Sequence, residues 1–158
     1  MKWPDRKRNR LNGFDYSRDA LYFMTSCVKD KACVFGEVVN ETMQLNKYGC
    51  IAEQQWTWLK EQYPYVVLHA FVVMPNHVHG ILEIDRDAVG TGRDLSALGH
   101  AAETETPLSL SLKSKSLSQL IGAYKTTTTK LIRAAGLTDF SWQRSFHDHI
   151  IRNERAYN

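Results

Sequence analysis

Two histidines separated by one residue, His77 and His79 in the stretch MPNHVHGILEI, are the side chains of this sequence best suited to chemistry. Pro75 and Asn76 punctuate the start of the stretch and apolar residues follow, so residues 77–84 are expected as a strand. Side chains alternate faces along a strand, which sends both imidazoles to one side, about 7 Å apart along the backbone. Two rings converging from that spacing can hold one divalent cation, and with oxygen ligands completing the shell the site also accepts Mn²⁺. Glu83 falls on the same face further along. A polar stripe on a half-exposed sheet accounts for the same spacing, and spacing by itself leaves both readings open. Glu83 reads more simply as a solvent-facing strand residue.

The elements that must position this strand follow from periodicity. Residues 20–28 (ALYFMTSCV) are aromatic and β-branched and of strand length. Over 41–63 the apolar positions Leu45, Tyr48, Ala52, Trp56, Leu59 and Tyr63 recur at steps of three and four, an amphipathic helix that Pro64 ends. Residues 65–74 form an apolar run that, after the break at Pro75, pairs with the histidine strand as a hairpin. A second helix is expected over 116–135, with Ser116 as cap, Gly136 as stop, and Leu117, Leu120, Ile121, Tyr124, Thr128 and Leu131 on its apolar stripe. Residues 145–151 (SFHDHII) read as the last strand, and Asn153 with Glu154 as the start of a further helix. Strand, helix, strand, strand, helix, strand is the ferredoxin-like βαββαβ order, an α+β fold with a four-stranded antiparallel sheet and two helices on one face. The other sheet face is left for a binding site, although a fold by itself names no function.

The 158 residues, 43% hydrophobic and 23% charged, fit one domain spanning 1–158. No apolar run reaches the length of a spanning helix and the N-terminus lacks a secretory pattern, so a cytoplasmic, unexported chain with no membrane partner is expected. Cys27, Cys33 and Cys50 stand at no metal-ligand spacing, which argues against a zinc cage or a disulfide framework. The net charge of +3 is mild, but an arm over 1–12 concentrates Lys2, Arg6, Lys7, Arg8 and Arg10 against Asp5. Such an arm suits phosphate binding at low salt, and equally a solubilising tail. Residues 85–115, with the repetitive PLSLSLKSKS, show no clean period and read as a flexible insertion.

Three stretches in order, residues 10–37 (RLNGFDYSRDALYFMTSCVKDKACVFGE), 71–82 (FVVMPNHVHGIL) and 142–158 (WQRSFHDHIIRNERAYN), resemble the IS200-like and REP-associated tyrosine transposases of the HUH single-strand nuclease superfamily. The resemblance covers most of the chain except residues 85–115. It implies a DNA transposase: a single-strand DNA endonuclease and strand-transfer enzyme acting on DNA that often forms hairpins. In such enzymes the paired histidines, here His77 and His79, hold Mg²⁺ or Mn²⁺ at the scissile phosphate while a tyrosine attacks to give a 5′-phosphotyrosine. The family tyrosine lies on a helix after the WQ segment and is expected about a turn and a half beyond Asn158, which suggests a truncated chain; Tyr157 is the nearest substitute. IS200-like relatives act as homodimers that share active sites, whereas REP-associated relatives can be monomeric.

Around that centre, Trp142, Gln143 and His149, with His147, are candidates for supporting the active face, against ordinary packing and surface exposure. Lys125 and Lys130, with Arg133, Lys113 and Lys115, offer phosphate contacts that a solvated helix face would also explain. Trp3, Phe14 and Tyr16 are candidates for stacking on unpaired bases, Tyr124 for the core. The resemblance places the protein with the nucleoid. It leaves two other outcomes standing: a catalytically inactive remnant that only binds DNA, and a metal-dependent hydrolase that forms no covalent bond.

Overall fold

Burial alternates residue by residue along the first strand, β1 (Ala20–Cys27), in the computed structural model of the chain, which describes residues 11–87 and 114–152. Tyr22, Met24 and Ser26 are fully buried while Phe23, Thr25 and Cys27 turn the other way, as in a sheet covered on one side only. After a hairpin, β2 (Gly36–Val39) and β3 (Thr42–Leu45), come helix α1 (Lys47–Gln62), strands β4 (Val66–Met74) and β5 (His77–Ile84), helix α2 (Leu117–Ala134) and strand β6 (His147–Ile151). The main sheet has the order β4-β5-β1-β6 with every pairing antiparallel, the ferredoxin-like arrangement expected from the order of elements.

Each helix begins where its backbone donors find partners. The Asn46 carboxamide oxygen accepts from the N–H groups of Tyr48 and Gly49 at 2.9 and 3.1 Å, and the Gln119 side chain reaches back to the Ser116 N–H at 2.9 Å. Both helices cover the same sheet face. Trp56 of α1 stacks on Phe71 of β4 at 4.6 Å between ring centroids, and Tyr124 of α2 meets both rings edge-on while its hydroxyl donates to the Ala52 carbonyl at 3.0 Å.

Gly80 of β5 makes this closeness possible, because a Cβ there would stand 2.6 Å from two ring carbons of Trp56. Gly80→Ala is expected to destabilise the chain by about 1–3 kcal/mol, since the indole is wedged against Phe71 and has little room to retreat. A urea midpoint lowered at unchanged slope would register the loss.

Two expectations change. The first helix starts at Lys47 rather than at 41, because Thr42–Leu45 belong to a hairpin strand paired with Gly36–Val39. In α2 Leu131 is exposed and Ile132 is buried, so the stripe continues from Thr128 by a step of four rather than three. Residues of the basic arm up to 10, the bulk of the insertion at 88–113 and the helix start at 153 lie outside the described residues. Among the described residues no helix is long and apolar enough to cross a membrane.

Candidate functional site

The imidazoles of His77 and His79 project from β5 to the face that the helices leave open, next to Cys27 and Thr25 of β1. Their Nε2 atoms approach to 3.1 Å. Behind each ring a neighbour holds the opposite nitrogen: the Asn76 carboxamide oxygen lies 2.6 Å from His77 Nδ1, and Thr25 Oγ1 lies 2.7 Å from His79 Nδ1. Asn76 follows Pro75 in the turn before β5, and Thr25 is the register partner of His79 across the β1–β5 ladder. Phe23 completes the setting with its ring nearly parallel to His79, the centroids 5.5 Å apart.

Bond direction at His77 is settled by its partner, since an amide oxygen only accepts and Nδ1 must therefore carry the proton. His77 Nε2 is then a lone pair aimed at His79. Burial, and secondarily the neighbouring His77 charge, hold the His79 pKa below the ordinary histidine value, so the His79 ring favours the neutral form that binds metals. Asn76 adjoins the histidine motif in the sequence, but Thr25 enters the site only through strand register.

The remaining candidates are distributed around this pair. Glu83 lies on the same face and bonds His69 Nε2 at 3.1 Å, so it is engaged away from the imidazoles. On β6, His147 pairs in register with Thr25 and His149 with Phe23; both are exposed on the open face, with β1 between them and the histidine pair. Trp142 is buried among Phe35, Phe140 and Tyr124, and bridges to Val28. The Gln143 N–H donates to the Cys27 carbonyl at 2.8 Å, which ties this segment to the histidine end of the sheet. Lys125 and Lys130 line an open cleft between α2 and residues 141–144. Burial presses the Lys125 pKa down, and its ammonium donates to the Gln143 carbonyl at 2.5 Å. Arg6, Lys7, Arg8, Arg10 and Tyr157 lie outside the described residues.

Two tyrosines have environments that exclude attack on a phosphate. Tyr22 and Tyr124 are fully buried on the helix side, where burial pushes the Tyr22 hydroxyl up to about 12 and raises the Tyr124 hydroxyl as well. At the opposite end of the sheet Asp19, Asp85 and Asp87 gather their carboxylates, with Arg86 3.7 Å from Asp19. Among the described residues, no third imidazole, thiol or carboxylate forms such a group with His77 and His79.

No family model matches the sequence. A Haemophilus influenzae protein of unassigned function is 35% identical over 159 aligned residues, covering 96% of this chain and 82% of the relative. The chain belongs to the same family as that protein. Among solved structures, a REP-associated tyrosine transposase bound to a REP hairpin superposes with a TM-score of 0.54 at 19% identity, over 94% of this chain. The chain spans 66% of that transposase, just under two thirds of its length. The likeness establishes a shared fold.

Proposed function

We propose that the chain is a single-strand DNA endonuclease and strand-transfer enzyme of the transposase type, in which His77 and His79 hold one Mg²⁺ or Mn²⁺ at the scissile phosphate and a tyrosine attacks it. The observation that carries this reading is the convergence of two oriented Nε2 atoms at 3.1 Å on the open face of the sheet. The chain shares the fold of a transposase whose own structure holds a REP hairpin, which supports hairpin-bearing single strands as the partner class here.

The donor set suits such an ion. Two metal bonds of about 2.1 Å meeting near a right angle separate their donors by about 3.0 Å, close to the observed spacing. Bound there, the ion would polarise a non-bridging phosphate oxygen and offset developing charge. Water and phosphate oxygens would fill the rest of the shell. Asn76 fixes the His77 ring, Thr25 the His79 ring, and Phe23 backs the second imidazole against displacement.

Within this sequence the attack falls to Tyr157, the nearest substitute for the family tyrosine expected beyond Asn158. Its oxygen bonds to phosphorus as the 3′ oxygen departs, so the tyrosine loses a proton and the leaving 3′ oxygen gains one. The products are a 5′-phosphotyrosine and a 3′-hydroxyl, and because the phosphodiester energy is retained for rejoining, no nucleotide cofactor is needed. Arg6, Lys7, Arg8 and Arg10 of the arm, with Lys125 and Lys130, would contact backbone phosphates and so position the strand without reading its bases. Gln143 and Trp142 would support the face from the β1 end, and His149 from β6.

Incubating the chain with hairpin-bearing single strands and Mn²⁺ is expected to give a denaturation-resistant protein–DNA adduct. Mass spectrometry should place the nucleotide on Tyr157, and Tyr157→Phe should abolish the adduct. Binding without any adduct would replace this reading with that of a DNA-binding protein. Cleavage without a tyrosine-linked nucleotide would make it a hydrolase.

A further inference from the structure

Helix α2 carries a second collection of groups suited to phosphate, away from the imidazoles. Lys125, Arg133 and Lys130 rise along one side of the helix, and Arg144 faces them from the segment that leads into β6. The cleft between them has a volume of about 610 Å³, and among the described residues no carboxylate lines it. The ion pairs recorded among the described residues join other side chains. In a chain whose net charge is only +3, four cations without an acid among them form a local concentration.

The walls are fixed. Lys125 Nζ donates to the Gln143 carbonyl at 2.5 Å and Arg133 Nε to the Phe140 carbonyl at 2.9 Å, which staples residues 140–143 to the helix. Both cations keep further N–H donors, and Lys130 and Arg144 are exposed. Thr126 and Ser141 add hydroxyls to the lining.

Its place in the fold identifies the occupant. Gln143 bonds to Cys27, and Cys27 is the register partner of His77, so the backbone of the cleft wall at Gln143 and that of His77 stand two strand spacings apart, or about 10 Å. Each strand of a paired hairpin stem rises about 3.4 Å per nucleotide along the helix axis, so this interval corresponds to about three nucleotides.

We infer that the cleft between α2 and residues 141–144 binds backbone phosphates of the same DNA strand, within about three nucleotides of the phosphate held at His77 and His79. The inference rests on the nuclease reading for its partner, but binding in the cleft requires no metal. It assigns Arg133 and Arg144 a role alongside Lys125 and Lys130.

The test measures binding of a fluorescent hairpin-bearing single strand in EDTA across a salt series, for the wild type and for Lys130→Gln with Arg144→Gln. These two side chains are exposed and make none of the stapling bonds, so the double variant should fold, and circular dichroism checks that it does. Affinity is expected to fall at least about tenfold at low salt, with the slope of log affinity against log salt reduced by about 1.4 for two lost single-strand contacts. Neutralising phosphates one at a time as methylphosphonates should weaken wild-type binding at particular positions that become silent in the double variant. In Mn²⁺, the position silenced by His79→Ala should lie within three nucleotides of these. An unchanged affinity and slope would overturn the inference, as would silent positions farther away. Loss of poly-glutamate binding with DNA binding intact would also overturn it, since the cleft would then serve an acidic protein partner. If His79→Ala silences no position while the EDTA result holds, the metal reading fails and phosphate binding in the cleft survives.

Discussion

Substituting alanine for His79 is expected to lower Mn²⁺ affinity by on the order of 100-fold or more, about 2.7 kcal/mol, with His77→Ala doing the same. Among the described residues only these two side chains converge on the site, so removing either leaves a single imidazole in competition with water. The ring of His79 is half-buried and rests against Phe23, and its loss opens space at the surface of the sheet rather than in the core beneath it. The fold should therefore survive, and far-UV circular dichroism with a urea midpoint would confirm that. Titration calorimetry, or the electron paramagnetic resonance signal of unbound Mn²⁺, measures the affinity. A wild-type protein that fails to bind Mn²⁺ or Mg²⁺ at millimolar concentration would return the pair to a polar stripe and remove the chemical basis of the proposed nuclease.

Much of this arrangement is legible in the amino-acid sequence. The period-two spacing of His77 and His79 settles that they share a face, and the order of strands and helices settles the sheet, because both follow from local geometry. The hairpin at Gly36–Leu45 escaped because its turn, Asn40 and Glu41, takes left-handed backbone angles of φ 48° and 61° without a glycine to announce it. Its second strand also supplied Leu45, which continues the helical period of the segment behind it. Leu131 was placed on the buried stripe because steps of three and four both fit a helix, and only packing chooses between it and Ile132. Thr25 is of another kind. It lies 54 positions from His79, and nothing short of the β1–β5 register brings its hydroxyl to the imidazole. Arg144 likewise joins the cleft only once the segment ahead of β6 is folded back along α2.

Thr25 is where the second large effect is expected, because its hydroxyl can donate or accept and His79 needs it to do both in turn. Without metal, the bonds form one consistent chain. Thr25 donates to His79 Nδ1, His79 Nε2–H donates to His77 Nε2, and His77 Nδ1–H donates to Asn76. A cation held by both rings would need both Nε2 lone pairs, so the His79 proton would reside on Nδ1, where the Thr25 hydroxyl would accept it. Imidazole nitrogen-15 spectra are expected to show His79 as the Nε2–H tautomer in metal-free protein and as Nδ1–H when saturated with diamagnetic Mg²⁺, while His77 stays Nδ1–H throughout. Thr25→Val keeps the shape but offers no acceptor, leaving a half-buried N–H without its partner in the metal-bound state. Affinity for Mn²⁺ should fall about 10- to 100-fold, the usual cost of losing a group that orients a metal ligand. Thr25→Ser should restore most of it, because serine keeps the rotating hydroxyl. A tautomer already fixed as Nδ1–H without metal, or a valine variant with undiminished affinity, would show that the hydroxyl only packs against the ring.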